Sequence, residues 1–224
     1  MNWVIGKHSW NVRVFDEVIS KYTGTWRFVS DPAEINLEEL AKDSPEYLFF
    51  MHWSSKISDE ITSKYKCVVF HPSDLPFGRG GTPIQNLIGL GIRETKISAF
   101  RMISKLDAGP VYMKWTISLE GSSAEEIYIR ISEEIAKMIQ CILNSDIEPE
   151  EQEGEITIFK RRTSAMSAVP QYGNLQEMFD FIRMLDAESY PKAFIDWGEY
   201  RLEFSRATLY DGRVEASVKI TEIK

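Results

Sequence analysis

The chain has 224 residues, 43% hydrophobic and 27% charged, an ordinary globular balance with room for one large domain or a domain and an appendage. Its formal charge of −8, from 26 basic and 34 acidic residues, argues against long polyanions, because a phosphate backbone is gripped by a basic surface. No nucleic-acid partner is therefore expected.

In chain order, residues 2–6 (NWVIG) read as a strand, 11–22 as an amphipathic helix, 25–29 as a strand and 36–43 as a short helix. Residues 46–53 (EYLFFMHW) form the next strand, 58–65 a helix with Ser58 as its cap, and 66–70 (KCVVF) a fourth strand. Alternation of this kind predicts an α/β fold, a Rossmann-like, mostly parallel sheet with helices on its faces. After a Gly/Pro-rich loop, a helix is expected from Pro83 to Leu90, with Pro83 in the first turn. Two β-rich runs, 94–106 and 110–119, flank a turn at DAGP. The longest helix follows, capped by Ser122 or Ser123, with Ile127, Ile131, Ile135, Ile139 and Ile142 along one stripe.

Residues 148–155 turn acidic and lose their apolar side chains, which predicts a linker or surface loop. Beyond it come a helix at 175–185 and β-like runs at 200–210 and 213–220, a small α+β region. The expected division is a core of residues 1–160 and a C-terminal region of 161–224, whose β-rich end offers a strand-pairing surface for a homodimer. No apolar run approaches the roughly 18 residues that span a membrane, and the start, MNWVIGKHSWN, lacks a signal peptide's apolar core. Cys67 and Cys141 fall outside any CxxC or His/Cys pattern and read as buried free thiols. A cytoplasmic protein without a membrane partner is expected. With three scattered histidines, no metal site is expected either.

His71 ends the fourth strand, and open α/β sheets bind ligands beyond the carboxyl ends of their strands. An imidazole there is either a general base or a ring satisfied by loop backbone. In the following loop, PSDLPFGRGGTP, Gly80 and Gly81 permit close approach of backbone to a ligand, and Arg79 offers a fork of donors to a phosphate or carboxylate. Neither a P-loop nor a dinucleotide fingerprint is present. Asp107 is by itself an ordinary turn residue, and gains a role only if the fold sets it beside His71. Lys160, Arg161 and Arg162 are either a solvated patch or a phosphate contact. His8 and His52 follow strands on the same edge and read as rim residues. Trp10 and Trp53 either stack on a flat ring or cover the sheet's end.

The runs FHPSDLPFGRGGTPIQNLI, ETKISAFRMISKLDAGPVY and FKRRTSAMS resemble the folate-dependent N-formyltransferases. The stretches FIRMLDAESYPKAF and YRLEFSRATL look like the nucleotide-sugar members, with the pseudaminic acid type the most similar. The resemblance implies formyl transfer from N10-formyltetrahydrofolate to the amine of a nucleotide-linked amino sugar. It makes His71 and Asp107 catalytic, and places the folate near His52, Trp53, Leu106 and Gly109. Arg79, Gly80 and Gly81 would shape the acceptor pocket, and Arg161 or Arg162 would hold the nucleotide's phosphates. The family's asparagine, two residues before the histidine, is here Val69, which has no donor for an oxyanion. Other readings are a methionyl-tRNA formyltransferase, a formyltetrahydrofolate hydrolase, or a non-catalytic folate or sugar-nucleotide binding protein.

Overall fold

The computed structural model describes residues 1–171, 173–188 and 190–223. Its elements are β1 (Asn2–Ile5), α1 (Ser9–Glu17), β2 (Trp26–Val29), α2 (Leu37–Asp43), β3 (Tyr47–Met51), α3 (Asp59–Lys64), β4 (Lys66–His71), β5 (Arg79–Gly80), α4 (Pro83–Gly89), β6 (Glu94–Arg101), β7 (Val111–Ser118), α5 (Ala124–Asn144), β8 (Ile158–Phe159), α6 (Leu175–Met184), β9 (Ala193–Trp197), β10 (Tyr200–Tyr210) and β11 (Arg213–Glu222).

Six strands form the main sheet in the order β2-β1-β3-β4-β6-β7. The first four are mutually parallel and β6 runs antiparallel to β4, as the α/β reading requires. The parallel strands are continuous apolar runs because both of their faces are covered. On one face Trp3, Ile5, Leu48, Phe50 and Cys67 share a cluster with Leu40 of α2 and Ile61 of α3. On the other, Phe49 stacks between Trp26 and Phe70. The isoleucine stripe of α5 is wholly buried, and Ser123 caps that helix by accepting from the N–H of Glu126 at 3.2 Å.

Contacts divide the chain into two compact units: Met1–Gly80, Lys96–Ile117 and Ile129–Ile158, and Gly81–Thr95, Ser118–Tyr128 and Phe159–Lys224. The second unit contains a three-stranded antiparallel sheet, β11-β10-β9. β9 went unforeseen, because its five residues, AFIDW, are too few and too mixed to alternate. The helix expected over 11–22 starts earlier and stops at Glu17, followed by a 3-10 turn at Ile19–Lys21. Cys67 is buried as expected, whereas Cys141 is only partly so. Among the described residues, no helix is long and apolar enough to cross a membrane, and no group of three or more His, Cys, Asp or Glu is arranged to hold a metal ion.

Candidate active site

The site is assembled in the first unit, beyond the carboxyl ends of the parallel strands. β4 delivers His71 to its last position, with only 7% of the residue exposed. The loop that follows folds back over the ring, so that His71 Nε2 lies 2.8 Å from the carbonyl of Gly78. A carbonyl only accepts, so Nε2 carries the proton. The remaining nitrogen, Nδ1, then faces the Asp107 carboxylate at 3.8 Å. Asp107, by its own position an ordinary turn residue and paired with His71 only by the resemblance, is brought to the histidine by the fold.

Asp107 is held from two sides. Its Oδ2 accepts from the Gly80 N–H at 2.8 Å, so Gly80 positions the carboxylate. Its own backbone is left-handed, with φ at 47°. The turn is closed by Gly109, where a Cβ would fall 1.8 Å from the Arg101 carbonyl oxygen. Leu106, on the same turn, is 70% exposed.

Arg79, expected to reach a substrate, is buried and turns Nε and Nη2 onto Gln152 Oε1 at 3.1 and 2.7 Å. Gln152 Nε2 donates to the carbonyls of Asp107 (2.9 Å) and Gly109 (2.8 Å). One side chain therefore ties the loop after His71 to the turn that carries Asp107. Gln152 lies in the acidic stretch expected to be a linker or surface loop; it is a loop, tied down where Glu150 bridges Val111 and Thr157 accepts from the Arg79 N–H. Replacing Gln152 by Ala leaves the Arg79 fork and two carbonyls short of partners. We expect a loss of about 1–3 kcal/mol in stability and, from the loosened carboxylate, a fall of about 10–10² in turnover. Thermal melting and a transfer assay check the two halves.

His52 follows β3, and continuing the Met51↔Phe70 register by one residue sets it next to His71. Its Nδ1 receives the indole N–H of Trp10 at 3.3 Å and lies 3.0 Å from Asn11 Nδ2. The indole can only donate, so Nδ1 is an acceptor and the ring is neutral. His8 stacks on Trp10 at 4.4 Å. Trp10 is 3% exposed, a cover for the sheet's end rather than an open platform. Burial, aided by His8, lowers the His52 pKa from 6.5 to about 3. The unfolded chain thus takes up a proton that the folded ring refuses. Stability from this group is complete above pH 6.5 and is lost as pH falls towards about 3. Between those two pH values the slope should approach about 1.4 kcal/mol per pH unit, the linkage value for one proton. His52→Asn, which tolerates the φ of 49° here, should flatten it in denaturant titrations at several pH values.

Trp53 packs against the apolar cluster, as do Val69 and Met102. Lys7 Nζ stands 4.6 Å from the Trp53 ring centroid, and Trp53 Nε1 is buried without an acceptor among the described residues. Gly81, Arg161 and Arg162 belong to the second unit. A Cβ at Gly81 would come within 2.7 Å of Arg161. Arg161 is exposed, whereas Arg162 is half-buried, hydrogen-bonded to the Met166 carbonyl and 5.7 Å from the Phe181 ring centroid. Burial lowers its pKa. Of the two arginines expected to offer a phosphate contact, Arg161 is the more open.

The family described as formyl transferase matches residues 15–142, more than half of the chain, and that described as methionyl-tRNA formyltransferase, C-terminal domain, matches residues 164–221. A solved methionyl-tRNA formyltransferase from Clostridium thermocellum is 43% identical, with 99% of each chain covered and a TM-score of 0.92. The methionyl-tRNA formyltransferase of Thermotoga neapolitana is 29% identical over 54% of this chain and 42% of its own length. The chain spans roughly half the length of the curated relatives it matches, 42–59%. A sugar N-formyltransferase from a Shewanella species shares the fold, with a TM-score of 0.65 over 100% of this chain and 98% of that one, but only 13% identity.

These likenesses overturn the nucleotide-sugar acceptor and, with it, the exclusion of a nucleic-acid partner. The sugar N-formyltransferase and the methionyl-tRNA formyltransferase both share this fold, so a resemblance at the level of the superfamily does not separate branches. Net charge sums the whole surface and is silent about a local basic patch. Members of this family draw their one-carbon unit from formyltetrahydrofolate. A buried histidine with one nitrogen pinned and the other facing a carboxylate, on a matching sheet over the matched residues, leaves one assignment: the chain belongs to the formyl transferase family.

Proposed function

We propose that the chain transfers a formyl group from N10-formyltetrahydrofolate to the amine of methionine esterified to tRNA. The observation that carries the reaction is the His71 geometry: Nε2 fixed on the Gly78 carbonyl and Nδ1 turned to Asp107. The acceptor rests on the 43% identity, over 99% of both chains, to the Clostridium thermocellum protein.

The residues present fit the folate. Trp53 Nε1 is a buried donor awaiting an acceptor, and Leu106 and Ile103 expose apolar surface on the turn that carries Asp107, as a flat, partly polar ring requires. We place the ligand against His52, Trp53, Leu106 and Gly109. When bound, it supplies an activated formyl carbon. His71 Nδ1 takes the proton that the methionyl amine gives up as its bond to the formyl carbon forms, and returns it to the donor nitrogen released when the old carbon–nitrogen bond breaks. The Nε2 bond to Gly78 keeps the ring from turning, and Asp107 meets the positive charge arriving on it. Gly80 and Gln152 hold Asp107 in place, while Val69 keeps an apolar, water-poor surface on the strand next to His71.

Incubation with the formyl donor and methionyl-tRNA, followed by mass spectrometry of the released amino acid, tests the reading. Formylmethionine with charged tRNA, and none with free methionine, is expected. Formate release that proceeds equally without acceptor would overturn it.

A further inference from the structure

We propose that the indole N–H of Trp53 donates to the formyl oxygen of N10-formyltetrahydrofolate and steadies the negative charge that gathers there during transfer. The inference rests on the proposed formyl transfer, and not on which amine receives the group. As the amine nitrogen bonds to the formyl carbon, the carbonyl electron pair moves onto the oxygen. It returns when the bond from that carbon to the folate nitrogen breaks, and this nitrogen leaves with the proton that His71 carried. A donor already aimed at such an oxygen is commonly a large contribution to the rate.

The donors nearest to His71 are committed elsewhere. The His71 Nε2–H is held by the Gly78 carbonyl, and the Gly80 N–H by Asp107. Gln152 gives its amide hydrogens to two backbone carbonyls and occupies the Arg79 fork. The Trp10 indole donates to His52. Val69 stands two residues before His71 on β4, hence on the same sheet face, and its side chain has no polar atom.

Trp53 is the exception. Its Nε1 is closed to water and has no acceptor among the described residues, although a buried indole normally finds one. An indole nitrogen only donates, so what it lacks is an oxygen. The ring centroid lies 6.1 Å from that of Phe50, and Phe50 stands opposite Val69 in the β3–β4 register. Trp53 and Val69 pack against one apolar cluster, which puts the uncommitted donor on the sheet face that carries His71. Lys7 Nζ, 4.6 Å from the ring centroid and 3.5 Å from Ser55 Oγ, holds the indole by its face. Trp53 belongs to the turn between β3 and α3, so the ring can tilt towards a ligand without disturbing either element. The apolar surroundings strengthen a hydrogen bond made there, since little water competes for it.

Isothermal titration with N10-formyltetrahydrofolate and with tetrahydrofolate, which lacks the formyl group, tests this bond with no acceptor present. Wild type should bind the formylated compound about 10-fold more tightly, the worth of one hydrogen bond. Trp53→Phe, which keeps an aromatic ring on the cluster, should lose that preference while binding tetrahydrofolate within a few-fold of wild type. In transfer its kcat should fall by about 10²–10³, with KM changed only a few-fold. Isotope-labelled wild type gives a reading that no variant's folding can blur. There the Trp53 indole proton signal should move downfield with the formylated compound and not with tetrahydrofolate. An equal preference in wild type and Trp53→Phe, or an indole signal that responds alike to both compounds, would overturn the proposal. A wild type that binds neither compound would overturn it together with the transfer reading. Formyl-dependent binding through Trp53, with no formylmethionine made, would uphold it and remove the acceptor reading instead.

Discussion

His71→Asn should lower formyl transfer by about 10²–10⁴-fold, the range lost when a positioned acid–base group is removed. The fall should appear in kcat, with KM changed only a few-fold, because Nδ1 acts on the moving proton and not on the bound ground state. Asn is too short to reach the Gly78 carbonyl as Nε2 does, but Ser73 Oγ also donates to that carbonyl at 3.2 Å, so the loop over β4 should hold and stability should drop by only about 1 kcal/mol, the worth of one hydrogen bond. Asp107→Asn is a sharper companion. One oxygen, Oδ2, both accepts from the Gly80 N–H and faces His71 Nδ1. An Asn that keeps its oxygen on Gly80 therefore faces the ring with a neutral amide oxygen, and the negative charge that meets the arriving proton is gone. Retained activity in both variants would remove the proton-carrying role from this pair, whatever acceptor the protein uses.

The legibility of this site follows from how far each interaction reaches. His71 was visible because a continuous apolar strand ends on it, and strand ends in parallel sheets are where ligands sit. Gly80 reads as a point of close backbone approach, and the fold uses it to hold the Asp107 carboxylate; Gly109, legible only as part of a turn, closes that turn against the Arg101 carbonyl. Gln152 gave no such sign. It sits among five acidic neighbours from Glu148 to Glu155, a composition that reads as solvated, while its bonds cross 73 and 45 positions to Arg79 and Asp107. Arg79 was misjudged for the same reason: an arginine between glycines looks offered to a ligand until the residue that occupies it is known. The neutral state of His52 likewise depends on Trp10, 42 residues away. The acceptor is out of reach for a different reason, since branches with different acceptors share this fold and a summed charge conceals local patches.

Gly109→Ala should be the most damaging single change in the first unit. The added Cβ would sit 1.8 Å from the Arg101 carbonyl oxygen and 3.0 Å from its carbon, a distance no backbone atom tolerates. Side-chain repacking cannot relieve it, because the obstacle is main chain at the end of β6. Either the β6 end or the Asp107 turn must move. β6 is anchored along β4 through Ser98↔His71 and Phe100↔Val69, so the turn should yield. That movement pulls the Pro110 carbonyl from the Arg101 N–H, now 2.8 Å away, and breaks the Gln152 bond to the Gly109 carbonyl. The stability cost should reach the upper end of the about 1–3 kcal/mol typical of overpacking. Because Asp107 sits two residues before Gly109, turnover should fall by about 10² even in the folded fraction. Thermal melting and a transfer assay below the melting transition separate the two effects, and an unchanged midpoint would mean that the turn has room the structure does not show.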